Sequence, residues 1–185
     1  MTKQARTRRL ALGSLSAALG IALVAVPAHA ERVGLDDPAD ATASNNDIHG
    51  VTAKYGQKQA RVNVRVADLL PTTDGGPSSL EIFIDTKPRR KGPEYRLATG
   101  LEEGTDYQVV RMKDWKPVGE PLTCSHRVEL DVDDDVVRTR FGKDCIGYPK
   151  KIRVGVKMTD LYDASHPIVD WLGKRRFFTL FLASG

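Results

Sequence analysis

Residues 124–145 read CSHRVELDVDDDVVRTRFGKDC, and their alternation argues for two antiparallel strands joined by an acidic turn. With Asp134-Asp135 as a two-residue turn, Val128 faces Phe141, Leu130 faces Thr139 and Val132 faces Val137. The opposite face then pairs Glu129 with Arg140 and Asp131 with Arg138. One apolar face and one face of opposite charges is the pattern that stabilises a cross-strand ladder and specifies its register. Cys124 and Cys145 fall opposite one another in the same register. Asp-Asp is not a favoured primed-turn pair, so a longer loop with a bulge is the alternative that would shift the pairing.

The same period of two recurs on either side. Val62, Val64 and Val66 alternate with Arg61, Asn63 and Arg65; Leu80, Ile82 and Ile84 alternate with Glu81 and Asp85; Ile152, Val154, Val156 and Met158 alternate with Lys151, Arg153 and Lys157. Arg175–Leu182 makes a last apolar run. Between the runs stand Asp74-Gly75-Gly76-Pro77, Gly92-Pro93, Gly119-Glu120-Pro121 and Gly147-Tyr148-Pro149. This is strand-and-turn punctuation without a helical stripe, apart from one irregular or single-turn helical connection within 160–172. About eight strands over residues 47–185 predict an all-β fold, an antiparallel two-sheet β-sandwich. Residues 31–46 (ERVGLDDPADATASNN) are small, polar and acidic, and are expected to form a disordered lead.

Residues 1–30 have the layout of a secretion signal. A basic stretch with Lys3, Arg6, Arg8 and Arg9 precedes an apolar segment from Leu10 to Val26, and Ala28-His29-Ala30 offers a small-x-small cleavage site. A cut after Ala30 is expected, leaving a secreted chain with no stable membrane anchor. Of the 28 basic residues, those four lie in the signal, so 24 remain against 24 acids. Zero net charge argues against a nucleic-acid partner, which needs a basic excess to displace counterions. Export also sets the redox context: Cys124 and Cys145 are the only cysteines and are expected to form one disulfide.

Motifs of chemistry are sparse. No G-x-S-x-G, G-x-x-x-x-G-K-[ST] or G-x-G-x-x-G occurs, so no nucleophile elbow and no cofactor is expected. Ser125-His126 and Ser165-His166 are adjacent pairs, and neighbours on a strand point to opposite faces, which argues against a Ser–His couple. His49, His126 and His166 have no ligand spacing, so no metal is expected from them. Asp131-x-Asp133-x-Asp135 matches the first half of a calcium loop, but Val136 stands where Gly belongs and Gly142 where the closing acid belongs. A weak surface contact through Asp133, Asp134 and Asp135 is the residual metal reading; an acidic hairpin end is the plainer one.

Two surface features carry a binding reading. Lys87-Pro88-Arg89-Arg90-Lys91 is a basic loop, and Arg61, Arg65, Lys151, Arg153 and Lys157 would form a basic sheet face if their strands are neighbours. Trp115 and Trp171 sit in polar, loop-like settings and are the candidate ligand-binding residues, since flat aromatic faces stack on sugar rings; a plug at the end of the sandwich core is the competing role.

The chain also resembles a group of small uncharacterised secreted proteins of high-GC Gram-positive bacteria. The resemblance rests on the β-rich stretch Asp47–Leu69, on Ile82-Phe83-Ile84-Asp85-Thr86 followed by Pro93-Glu94-Tyr95, on Cys145-Ile146-Gly147-Tyr148-Pro149, and on Asp170-Trp171-Leu172-Gly173. It implies a secreted sandwich with a Cys pair and no assigned activity. The strand-then-Asp-Thr pattern is loosely similar to carbohydrate-binding sandwiches of the family 9 and DOMON type, at the level of fold alone. The expected function is therefore a non-catalytic binding module at or outside the cell envelope, for a cell-wall or extracellular glycan or a protein partner. The alternative is a secreted hydrolase, which would need two acids, or a His with an acid, inside a cleft.

Overall fold

The computed structural model describes residues 31–70 and 77–185, and the signal-like segment lies outside the described residues. Twelve strands run in chain order: β1 (Glu31–Asp36), β2 (Ile48–Tyr55), β3 (Gln59–Val66), β4 (Ser78–Asp85), β5 (Tyr95–Gly100), β6 (Tyr107–Lys113), β7 (Lys116–Val118), β8 (His126–Asp131), β9 (Val136–Gly142), β10 (Lys151–Asp160), β11 (Ile168–Trp171) and β12 (Leu182–Ala183). A single turn of helix, α1 (Lys143–Ile146), follows β9. The smaller sheet has the order β1-β2-β3-β9-β8; the larger runs β11-β10-β4-β5-β6-β7, with β12 also pairing β10. Every pairing among the described residues is antiparallel. The chain is thus an all-β sandwich, as its patterning predicts.

The main core lies between the sheets and follows from the alternation. Val62, Val64 and Val66 of β3 meet Leu80, Ile82 and Ile84 of β4 and Ile152, Val154, Val156 and Met158 of β10, all at most 2% exposed. At roughly 25 cal/mol per Å² of apolar surface buried, a set of this size dominates the folding free energy.

Four expectations are corrected. The lead is ordered: β1 pairs with β2 from Glu31↔Tyr55 to Asp36↔Gly50, because Val33 and Leu35 alternate inward onto the core. The strand count rises from about eight to twelve, since β1 and the short β7, β11 and β12 lack long apolar runs. The last run, Arg175–Leu182, is not a strand for most of its length. It lies over the outer face of the larger sheet at Gly155 as a strap, returns to β10 where the Thr179 N–H donates to the Val154 carbonyl at 2.8 Å, and pairs with it at Ile152↔Leu182. A Cβ at Gly155 would come within 2.7 Å of the Phe177 carbonyl oxygen and 3.3 Å of the Phe178 ring, so the crossing requires glycine there.

The fourth correction concerns the β8–β9 hairpin. The observed partners are Val128↔Thr139, Glu129↔Arg138 and Leu130↔Val137, two residues away from the expected register. The turn spans four residues, 132–135, and Asp135 takes a left-handed φ of 54°. Its carbonyl accepts from the Val66 N–H at 3.0 Å and its carboxylate from the Leu69 N–H at 2.8 Å, so the tip also anchors the exit of β3. A slip of two keeps each side chain on its face. The ion pairs accordingly survive as contacts: Arg138–Asp131 at 2.5 Å and Arg140–Glu129 at 3.7 Å. Cys124 and Cys145 are bonded across the flanks of the hairpin, with a Cα separation of 5.3 Å.

Candidate functional site

The site begins with apolar residues in the polar phase of their strands. Phe83 of β4 and Val110 and Met112 of β6 point away from the main core and form a second buried cluster on the outer face of the larger sheet. Four aromatic rings gather there. Trp171, the last residue of β11, stacks on Phe83 with centroids 5.5 Å apart and planes 12° apart. Trp115 meets Phe83 edge-on at 5.2 Å, Trp171 at 5.8 Å and Phe178 of the strap at 5.5 Å. Offset and edge-to-face contacts at these distances are the favourable arrangements for π systems.

Trp115 reaches this position through an unfavourable turn. Lys113↔Lys116 close the β6–β7 hairpin over Asp114 and Trp115, which both adopt positive φ, 50° and 67°. Such turns favour Asn-Gly, and a bulky residue there is a genuine outlier. The turn folds the indole back against Gly92, where an added Cβ would lie 2.8 Å from the ring. Arg176, itself at φ 64°, places its guanidinium 5.0 Å from the Trp115 ring. A cation on an indole face is attracted by the ring quadrupole.

Charged groups surround the rings. Glu81 binds Arg96 at 2.5 Å and Lys157 at 2.7 Å. Arg153, ion-paired to the buried Asp85 at 2.6 Å, lies 4.8 Å from the Phe178 ring. Glu81, Arg96 and Lys157, with Arg175 and Arg176, rim an open depression of about 650 Å³ floored by Phe83, Met112, Trp115, Val169 and Trp171. Both tryptophans are half-buried, so each anchors the floor and keeps ring surface at the opening. Flat aromatic surface beside fixed carboxylate, guanidinium and ammonium groups can stack on an apolar face and hydrogen-bond hydroxyls around it.

The two sequence candidates, Trp115 and Trp171, are thus brought together, but not as plugs of the main core. Of the other site residues, sequence reasoning singles out Lys157 only as part of a basic strand face. Phe83 between Ile82 and Ile84, and Val110 beside Val109, were the available signal: apolar side chains where strict alternation calls for polar ones. The strap residues were legible only as a last apolar run and read as a strand.

The condition for a basic sheet face is not met, because Arg61 and Arg65 stand on β3 of the smaller sheet and Lys151, Arg153 and Lys157 on β10 of the larger. The Lys87–Lys91 loop is exposed and ends at Gly92, beside Trp115. At the hairpin tip Arg138 bonds both Asp131 and Asp134. That hydrogen bond holds the Asp131 carboxyl below the usual carboxylate range. Asp135 anchors β3, while Asp133 and Asp134 are both exposed, Asp134 in its ion pair with Arg138.

Ser165 and His166 do touch, at 2.9 Å, and Asp163 joins them at 2.5 and 3.0 Å. Neighbours point to opposite faces on a strand, whereas these residues occupy a turn. Serine and carboxylate share the same ring nitrogen, Nδ1, and all three side chains are exposed, so the group lacks the relay of a catalytic triad. His126 Nδ1 contacts the Cys124 carbonyl at 2.9 Å. It approaches both sulfurs, but as a disulfide these supply no thiolate ligand.

Comparison with protein-family models, with curated proteins and with solved structures gave no match to this chain. Among the described residues no helix is long and apolar enough to cross a membrane.

Proposed function

We propose that the protein is a non-catalytic glycan-binding module acting at or outside the cell envelope, with its ligand held in the Trp115–Trp171 depression. One observation carries the reading: two tryptophans, separated by 56 positions in the chain, converge at 5.8 Å inside an open, charge-rimmed depression. The left-handed backbone of Trp115 supports it, since strain of this kind concentrates where a side chain must be aimed. The signal-like residues 1–30 and the Cys124–Cys145 bridge support an exported chain. Arg175, Arg176 and the adjoining Lys87–Lys91 loop add positive charge beside the opening, which favours sugars bearing carboxylate or phosphate groups.

The test is co-sedimentation with insoluble polysaccharides and purified cell wall. Trp171→Ala is expected to weaken retention roughly tenfold, the equivalent of one lost aromatic stacking contact. Trp115→Ala should act alike, and high salt should reduce binding to anionic polymers. Retention that both variants preserve, or no retention on any matrix, overturns the glycan reading.

A further inference from the structure

The segment before β2 brings its carboxylates to the open side of the sandwich, where the β1 edge of one sheet meets the β11 edge of the other. Asp40, Asp47 and Asp170 each bring one oxygen within 4.8 Å of the others. Oxygens no farther apart than this can share one cation coordinated at about 2.4 Å. Asp37 is close enough for its charge to act on Asp170, and those of Asp40 and Asp47 to act on it.

Three of the four are buried and held through one oxygen by a backbone N–H. Asp37 Oδ1 accepts from Gly173 at 2.7 Å, Asp47 Oδ1 from Ala41 at 3.0 Å, and Asp170 Oδ2 from Ile48 at 2.7 Å. The second oxygens of Asp37 and Asp47 are buried with no hydrogen-bond partner, although Asp47 is only 1% exposed. The nearest cationic candidate is His49, whose Nε2 stands 3.5 Å from Asp47 Oδ2, beyond hydrogen-bond range for these groups. Among the described residues no Lys or Arg pairs with any of the four carboxylates. Buried carboxylates without a counter-charge are costly, and unpartnered buried acceptors in a native fold ask for a ligand.

We propose that Asp40, Asp47 and Asp170 bind one calcium ion, which ties the chain preceding β2 to β11 and so closes the side of the sandwich. Oxygen-only donors of high charge suit a hard cation. Calcium accepts a protein-built carboxylate cage, whereas magnesium retains its waters and rarely uses one. This inference is independent of the glycan reading.

The experiment is calorimetric titration of the chelator-treated protein with calcium chloride, with thermal unfolding in calcium and in chelator. One site per chain is expected, a higher Tm in calcium, and weaker binding of magnesium. Asp40 is solvent-exposed, so Asp40→Asn should fold normally and keep its Tm in chelator. It should weaken calcium binding roughly tenfold or more, the usual consequence of losing a charged ligand. Asp133→Asn, at the hairpin tip, should leave binding unchanged. No heat and no Tm shift at millimolar calcium overturns the proposal. Binding lost with Asp133→Asn rather than Asp40→Asn, or preference for magnesium, overturns it equally.

Discussion

At the residue scale, two side chains show how position changes chemistry. Trp115 occupies a turn that its bulk disfavours, and its contacts with Phe83, Trp171, Phe178 and Arg176 hold it there. Tyr55 lies fully buried at the end of β2, where its hydroxyl donates to the Pro149 carbonyl at 2.7 Å. Burial pushes its phenol up to about 12. The folded value exceeds the unfolded one, near 10, so this stabilisation is complete below pH 10 and is lost as pH rises toward 12. Two units correspond to at most about 2.7 kcal/mol. Denaturant titrations of the wild type and Tyr55→Phe should show this alkaline loss in the wild type alone. The variant should be less stable at neutral pH by about 1 kcal/mol for the unpaired carbonyl. An identical alkaline loss in both proteins would exclude Tyr55 as its source.

At the scale of elements, the β8–β9 hairpin explains both a success and a failure of sequence reading. The faces were legible because alternation survives a slip of two, and the opposite charges were legible because they sit on one face. The register was not, because Asp135 adopts a left-handed turn that serves β3, a strand distant in sequence. The disulfide joins the hairpin flanks over a separation of 21 residues. A loop of that length constrains the unfolded chain by about 3 kcal/mol. Cys124→Ser with Cys145→Ser should lower stability by about that amount in chemical denaturation while leaving the far-ultraviolet dichroism of the folded state unchanged. A loss of strand signal would mean that the bridge forms the hairpin rather than fastening it.

At the scale of the molecule, two apolar clusters share β4, with Ile82 and Ile84 facing the main core and Phe83 facing the outer one. Both tryptophans report on the outer cluster. Melting by tryptophan fluorescence and by circular dichroism should therefore coincide, as expected of one cooperative unit. A fluorescence transition several degrees earlier would show that the strap and the outer cluster unfold on their own. The sequence by itself determined the class of fold, the strands with strict alternation and the cysteine partners. Each depends on local periodicity or on the absence of any rival partner. Only the tertiary structure decided that Glu31–Asp36 joins a sheet, that Arg175–Phe181 crosses one, and that Phe83, Trp115, Trp171 and Phe178 share a face. It alone brought Asp40, Asp47 and Asp170 together. Those outcomes depend on which strand edges lie side by side and on what a glycine at position 155 leaves room for, which are properties of packed sheets that no local pattern encodes.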